Sequence, residues 1–126
     1  MNDRFKFRVW DNNKKEYLDK GYIHRKGYLV MPTMKNDYSL AEAEGDFIVE
    51  QCTGRKDING TLIYEGDLVM VDGYIDKYKV IWDKEICSFA IDHITKFLPL
   101  GSSSFASVAI PMVIIGNIHE NGELLK

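Results

Sequence analysis

The sequence predicts one mostly β domain, with an N-terminal β-meander over residues 1–53, a small barrel over residues 54–126 and little helix. Three observations favour this class. Several segments alternate apolar and polar side chains with a period of two, and short apolar runs are separated by Gly, Asn and Asp. The chain has 126 residues, a common size for one domain with its own core. Its apolar fraction of 45% and aromatic fraction of 12% argue against disorder.

The first strand is predicted over residues 4–10, where charged and apolar side chains alternate. Its apolar face would carry Phe5, Phe7 and Val9, and its basic face Arg4, Lys6 and Arg8. Turn-forming residues 11–14 follow, so a hairpin to residues 17–18 is expected. Two more short apolar runs complete the meander, and the second ends at Pro32, which supplies no backbone donor to a sheet.

Residues 39–45 leave two alternatives open. Ser39 could cap a short helix through residues 40–44, but that segment is under two helical turns and need not be helical. Residues 47–53 are rich in β-branched and aromatic side chains and predict a strand that ends at Gly54.

The C-terminal half predicts the barrel. Asn59-Gly60 predicts a tight turn with positive φ at both residues. Short strands with turns between them then run from residue 61 to residue 82, as in a small barrel. The remaining expectations are a turn at Asp72-Gly73, a strand with Cys87, Phe89 and Ile91 on one face, a loop over residues 99–107, a closing strand over residues 110–118, and a turn with a short tail over residues 121–125.

The charge is unevenly distributed along the chain. The net charge is −3, yet residues 1–28 carry eight basic and four acidic side chains, a net +4, which leaves −7 for the remainder. This asymmetry suits either a basic surface that meets nucleic acid or a basic end of one copy that meets the acidic flank of another. Both interpretations stay open at this point.

The sequence predicts a cytoplasmic protein that does not bind a membrane. The longest apolar stretch, residues 108–115, is too short to cross a bilayer and contains Pro111. The N-terminus is polar, unlike an export signal. Cys52 and Cys87 are expected to be reduced thiols that behave as small buried hydrophobes.

No catalytic, metal or cofactor site is predicted. His24, His93 and His119 are widely separated, and no cysteine or histidine pair has ligand spacing. Glu65 and Asp67 have the spacing of two side chains on one face of a strand, but no oxyanion or phosphate-binding loop accompanies them. We therefore expect a protein that is not an enzyme and has no cofactor.

A candidate contact surface for nucleic acid or a partner protein combines basic and aromatic side chains. Basic groups follow phosphates and aromatic rings stack on bases. Its members are Arg4, Lys6, Arg8 and Trp10. The alternative is that the charged side chains only solvate the outer face of the strand and prevent edge-to-edge aggregation.

Four blocks in order carry a family resemblance: residues 7–11 (FRVWD), 52–69 (CTGRKDINGTLIYEGDLV), 80–83 (VIWD) and 115–121 (IGNIHEN). Together they resemble the YopX family of phage and prophage proteins over almost the whole chain. The resemblance implies an origin in phages or prophages of Gram-positive bacteria, an SH3-type barrel in the C-terminal part and no assigned activity. The chain departs from the family pattern at Cys52, Arg55 and Gly122.

The longest of these blocks also has a structural interpretation. Its glycines recur where strands must turn, and Asp67 is suited to accept hydrogen bonds from turn amides. The predicted turn motif consists of Gly54, Asn59, Gly60, Gly66 and Asp67. The function expected overall is a non-enzymatic protein-interaction or self-assembling module, forming a homo-oligomer or binding a phage or host protein. The alternative is a nucleic-acid-binding module.

Overall fold

The structure is a computed structural model that describes residues 3–33, 36–71, 75–94, 103–104 and 111–125, with only the backbone described at residues 36–38, 93, 103 and 104. The described residues are mostly β, as predicted. Two short 3-10 helices span Asp3–Phe5 and Gly122–Leu125. The strands are β1 (Phe7–Asp11), β2 (Glu16–Tyr17), β3 (Tyr22–Ile23), β4 (Leu29–Thr33), β5 (Asn36–Glu42), β6 (Phe47–Lys56), β7 (Leu62–Tyr64), β8 (Asp67–Val71), β9 (Lys77–Asp83), β10 (Ser88–His93), β11 (Ser103–Ser104) and β12 (Met112–Asn117).

The chain divides into two compact units. The smaller unit is Phe7–Glu50, and the larger unit combines the N-terminal residues through Lys6 with the residues from Gln51 onward. Strand β6 therefore contributes its first four residues to the smaller unit and the rest to the larger one. The assignment of one domain with subregions 1–53 and 54–126 stays a prediction. Within the described part of the chain, no helix is long and apolar enough to span a membrane.

The smaller unit contains two sets of paired strands. In the first, the order is β2, β1 and the beginning of β6. The predicted hairpin is present: Trp10 pairs with Tyr17, and the Asp11 carboxylate accepts the backbone N–H groups of Asn13 and Lys14 at 2.9 and 3.0 Å. Local bonds of this kind favour a turn over a continued strand.

The second set is a three-stranded antiparallel sheet in the order β3, β4, β5. Strand β5 occupies the segment for which a helix was one alternative, and Leu40 and Ala41 pair with Pro32 and Met31 of β4. A helix of under two turns has little stability of its own, so pairing with β4 decides the conformation. Strand β4 also continues through Pro32, because β3 has already ended there and the missing N–H leaves no partner unsatisfied on that side.

The larger unit contains a five-stranded antiparallel sheet in the order β11, β10, β9, β8, β12, and strand β7 pairs with the end of β6. Short apolar strands of this sheet and of β7 supply a buried core: Ile63, Val69, Val71, Val80, Ile91 and Met112. The predicted closing strand is present as β12. The predicted turn at Asp72-Gly73 and most of the predicted loop over residues 99–107 lie outside the described residues.

The first predicted strand is shorter than the alternation indicated. Arg4 and Phe5 lie in the first 3-10 helix, and the strand begins only at Phe7. Phe5 is 63% exposed, so it does not share a buried face with Val9, which is 3% exposed. The Lys6 backbone N–H bonds the Asp3 carbonyl at 3.0 Å, which closes the helical turn and breaks the alternation.

The turn after β6 differs from the predicted type. Gly60 has φ of 83°, but Asn59 does not have positive φ. The Gly60 N–H bonds the Asp57 carbonyl at 3.1 Å, and the Asp57 N–H bonds the Thr61 carbonyl at 2.8 Å. These bonds define a three-residue loop with a left-handed glycine at its end, in place of a two-residue turn.

Asp57 fixes this loop to β12. Its side chain is 8% exposed, and Oδ1 accepts the N–H groups of Asn59 and Thr61, each at 2.9 Å. Its Oδ2 accepts the N–H of Ile114 at 3.2 Å. Burial opposes ionisation, but the backbone bonds from Thr61, Ile114 and Asn59 outweigh it and lower the pKa of Asp57 below its ordinary value.

We predict that Asp57→Asn lowers the free energy of unfolding by about 1–3 kcal/mol at neutral pH, because the amide presents a donor where the carboxylate accepted backbone donors. Urea denaturation measures this loss. Asp83→Asn is the matched control, since the Asp83 carboxylate accepts the N–H of Glu85 in an exposed turn, and its effect should be clearly smaller.

The loss of stability caused by Asp57→Asn should depend on pH. Because the pKa of Asp57 is lowered by folding, its contribution is complete above the unfolded-state pKa of about 3.9 and disappears as the pH falls through the folded-state value. The difference between the wild type and Asp57→Asn should therefore be constant near neutral pH and shrink in acid. A difference that grows in acid would contradict this role.

Candidate interaction surfaces

Two of the four predicted contact residues belong to a buried cluster in the smaller unit. Glu50 is 3% exposed, and its Oε1 accepts the Arg8 Nε–H at 2.8 Å and the Tyr17 hydroxyl at 2.9 Å. The Arg8 guanidinium carbon lies 4.7 Å from the Tyr17 ring centroid, and the Trp10 ring meets Tyr17 edge-on at 5.0 Å. Arg8 and Trp10 therefore hold the unit together, and Trp10 is only 2% exposed.

The other two contact residues lie at the N-terminus of the larger unit. The Lys6 ammonium forms an exposed ion pair with Asp3 at 3.1 Å, and this hydrogen bond and charge raise the pKa of Lys6. The Arg4 guanidinium carbon lies 4.8 Å from the Phe5 ring centroid. The structure thus places Arg4, Lys6 and Arg8 in three different surroundings, whereas the alternation had predicted one strand face.

The predicted turn motif occupies three consecutive bends of the larger unit. Gly54 has φ of 81° in a bulge of β6, where a Cβ would lie 3.2 Å from the Arg4 Cβ. Asn59 and Gly60 lie in the loop bound by Asp57. Gly66 has φ of 84° between β7 and β8, and the Asp67 Oδ2 accepts the Tyr64 N–H at 2.8 Å.

The first exposed surface of interest is the outer face of the three-stranded sheet. Directly paired residues of antiparallel strands share a face, and Tyr22 pairs with Val30 while Pro32 pairs with Leu40. The outer face therefore consists of Tyr22, Val30, Pro32 and Leu40, together with Glu42, which pairs with Val30. Tyr22 is 53% exposed and Leu40 is 50% exposed.

The opposite face of the same sheet contacts the smaller unit through Leu29 and Met31, whereas Ile23, which pairs with Leu29, is 40% exposed. Leu29 and Met31 alternate with the outer-face residues of β4. A Cβ placed on Gly21 would lie 3.3 Å from Met31 Sδ, 3.4 Å from Leu29 Cδ1 and 3.7 Å from Val9 Cγ2. These side chains lie near Val9, which is buried. The sheet therefore contacts the rest of the smaller unit through this face.

The second surface is a groove of the larger unit, with a volume of about 510 Å³. Three aromatic rings, one guanidinium, one carboxylate and one amide line this aromatic groove. They belong to Arg4, Phe5, Gln51, Glu65, Trp82 and Phe89. Sequence analysis missed it, because Phe5 and the Trp82–Phe89 pair are brought together by tertiary structure; the pairing of residues 82 and 89 across one hairpin was the available signal.

The two cysteines differ in environment. Cys52 is fully buried, as predicted, whereas Cys87 is exposed in the turn between β9 and β10. The prediction of a buried Cys87 was wrong because strand β10 begins only at Ser88, and Cys87 itself has φ of 51° in that turn. In the part of the chain that the structure describes, no group of three or more His, Cys, Asp or Glu side chains is placed to hold a metal ion.

Comparison with protein-family models tests the resemblance of the four sequence blocks to the YopX family. The family model described as YopX protein matches residues 6–126. The chain belongs to the YopX family. A search of curated proteins finds no match for this YopX-family chain.

Among solved structures, the YopX-family chain is similar to the crystal structure of protein EF1440 from Enterococcus faecalis. The TM-score is 0.62 with 24% sequence identity, and the match covers 96% of this chain and 97% of the other. At that identity the similarity supports the mostly β fold and carries no statement about activity.

We predict that Arg8 and Glu50 are strongly coupled in their contributions to the free energy of unfolding. Glu50→Met should lower the free energy of unfolding by about 3 kcal/mol, because it leaves the part-buried Arg8 guanidinium without its carboxylate. Arg8→Met combined with Glu50→Met should cost less than the sum of the single substitutions. Lys6→Met, which removes an exposed ion pair, is the control and should change stability little. Additive single effects in urea denaturation would contradict the coupling.

We also predict that the thiols react at very different rates. A disulfide reagent such as DTNB should modify Cys87 rapidly in the folded protein and Cys52 only after denaturant is added, since burial blocks access to Cys52. Cys87→Ser should abolish the fast phase. Fast labelling that persists in that variant would place Cys52 within reach of solvent and contradict its burial.

Proposed function

We propose that this YopX-family protein is a non-enzymatic phage or prophage accessory protein that acts in the cytoplasm of a bacterial host as a self-assembling interaction module. The observation that carries the proposal is the outer face, where Tyr22 and Leu40 are about half exposed on a sheet whose other face already contacts the smaller unit through Leu29 and Met31. Contiguous exposed apolar surface on a small protein marks a site of association. The occupant we assign to this face is a second copy of the chain.

The charges around the outer face support self-association. Exposed Arg25 and Lys26 lie in the turn between β3 and β4. Exposed Glu42 ends β5 opposite Val30, and exposed Glu44 follows two residues later. A surface that carries both signs at its rim is complementary to itself when two copies meet about a two-fold axis. The +4 charge of residues 1–28 against −7 elsewhere acts in the same direction.

The non-enzymatic part of the proposal is supported by the uses of the buried carboxylates. Glu50 binds Arg8 and Tyr17, while Asp57 and Asp67 accept backbone N–H groups. Each of these carboxylates has structural partners. The nucleic-acid alternative is weaker, because Arg8 and Trp10 are committed to the Glu50 cluster and Lys6 is paired with Asp3.

For the larger unit we propose an SH3-type barrel. Its support is a set of short antiparallel strands, β7 to β12, around one core that includes Ile63, Val69 and Met112. In this proposal the larger unit supplies the stable scaffold. The smaller unit then presents the surface for assembly.

We predict that light scattering after size exclusion in low salt gives a mass above the 14.5 kDa monomer. Tyr22→Lys with Leu40→Lys should raise the dissociation constant of the oligomer by about tenfold or more, since both side chains lie in the contact. High salt should weaken the oligomer as it screens the rim charges.

Ile58→Lys is the matched control, because Ile58 is an exposed aliphatic side chain of the larger unit. It should leave the mass unchanged. A monomeric wild type at high protein concentration would refute self-assembly, and an oligomer that resists the double substitution would place the contact elsewhere than the outer face.

A further inference from the structure

The aromatic groove presents large apolar side chains to solvent in the larger unit. Trp82 and Phe89 face each other across β9 and β10, and their rings meet edge-on with centroids 5.1 Å apart. Trp82 is 49% exposed and Phe5, from the first 3-10 helix, is 63% exposed. Buried aromatic side chains usually supply the core of a fold, so this degree of exposure in a cluster needs a different explanation.

The walls of the aromatic groove are held by hydrogen bonds between side chains and the backbone. The Gln51 side-chain amide donates to the Arg4 carbonyl, and the Gln51 backbone N–H donates to Glu65 Oε1 at 2.8 Å. Gly54 permits the close approach of Arg4 to β6. The backbone next to Phe5 is therefore held before a ligand arrives, which lowers the entropic cost of binding.

The charges of the aromatic groove discriminate between polymers. It contains one guanidinium, from Arg4, and one carboxylate, from Glu65. A nucleic acid strand needs a basic track for its phosphates, and a single guanidinium beside a carboxylate does not supply one. A peptide backbone is uncharged and needs no such track.

We infer that the aromatic groove binds an extended peptide segment of a partner protein, with proline or aliphatic side chains laid on Phe5 and Trp82. Aromatic-lined grooves accept such segments because an extended proline-rich chain loses little entropy on binding. The volume of about 510 Å³ lies in the range of ligand sites and fits a few residues. This binding is a function beyond self-assembly, and it uses other residues than the outer face.

The test begins with selection from a display library of random linear peptides on the full-length protein. Selected peptides should be rich in proline or aliphatic residues and should bind the wild type in solution. Trp82→Ala and Phe5→Ala should each weaken the affinity by about tenfold or more. Ile75→Ala is the matched control, because Ile75 is 89% exposed in the larger unit and is not among the lining residues, and it should bind as the wild type does.

Tryptophan fluorescence locates the bound peptide. The protein has two tryptophans, and Trp10 is buried while Trp82 is half exposed. Acrylamide should therefore quench Trp82 in the free protein, and a bound peptide should protect it. Phe5→Ala gives a second measurement should Trp82→Ala fail to fold, which circular dichroism reports.

Three results would overturn the assignment. The first is a library that yields no peptide whose binding depends on Phe5 and Trp82. The second is a bound peptide that leaves the acrylamide quenching of Trp82 unchanged. The third is oligothymidine that binds with the Trp82 dependence expected of the peptide. The Tyr22→Lys, Leu40→Lys variant should bind the peptide like the wild type, so loss of self-assembly and loss of peptide binding are separate outcomes.

Discussion

The buried carboxylate of Asp57 is the constraint on which the larger unit depends. One side chain accepts backbone N–H groups from both its own turn and Ile114, 57 residues later in the chain. It thereby fixes the position at which β12 lies beside β8, and Met112 of β12 enters the core next to Val69 and Val71. An apolar residue at position 57 would leave these buried N–H groups without partners, which costs more than the burial of an already bonded carboxylate.

In the smaller unit, the buried carboxylate of Glu50 is bonded to the side chains of Arg8 and Tyr17. Glu50 is compensated by a guanidinium and a phenol hydroxyl, so its partners are side chains from β1 and β2. Such a pair contributes less to net stability than its short distances suggest, because both charged groups lose water, but it defines which strands meet. In both units a buried carboxylate thus binds segments that are distant in the chain.

Local patterns in the sequence predicted the strands that are bounded by strong turn residues. Strand β8 follows Gly66, β9 and β10 form a hairpin, and the turn at Gly60 lies where it was expected. The alternation and capping patterns left other conformations undecided or misplaced. Residues 39–42, for which a helix was one alternative, are strand because β4 pairs with them. The predicted strand was wrong at Arg4 and Phe5, because residues 3–6 close a local helical turn. The aromatic groove joins residues 5, 51, 65, 82 and 89, a set that no periodicity can reveal.

The proposed self-association rests on the three-stranded sheet of the smaller unit. Outside residues 36–38, no side chain of this sheet is fully buried: β4 is half-buried throughout, and Tyr22, Ile23 and Leu40 are exposed. A small sheet with apolar residues on both faces gains stability when each face is packed against other residues. In the smaller unit, Leu29 and Met31 pack on one face, near Gly21 and Val9. Retaining Tyr22, Val30, Pro32 and Leu40 on the other face exposes apolar area to water in the monomer. In the proposed assembly a second copy buries this face, and the burial of its apolar area contributes favourably to the free energy of binding.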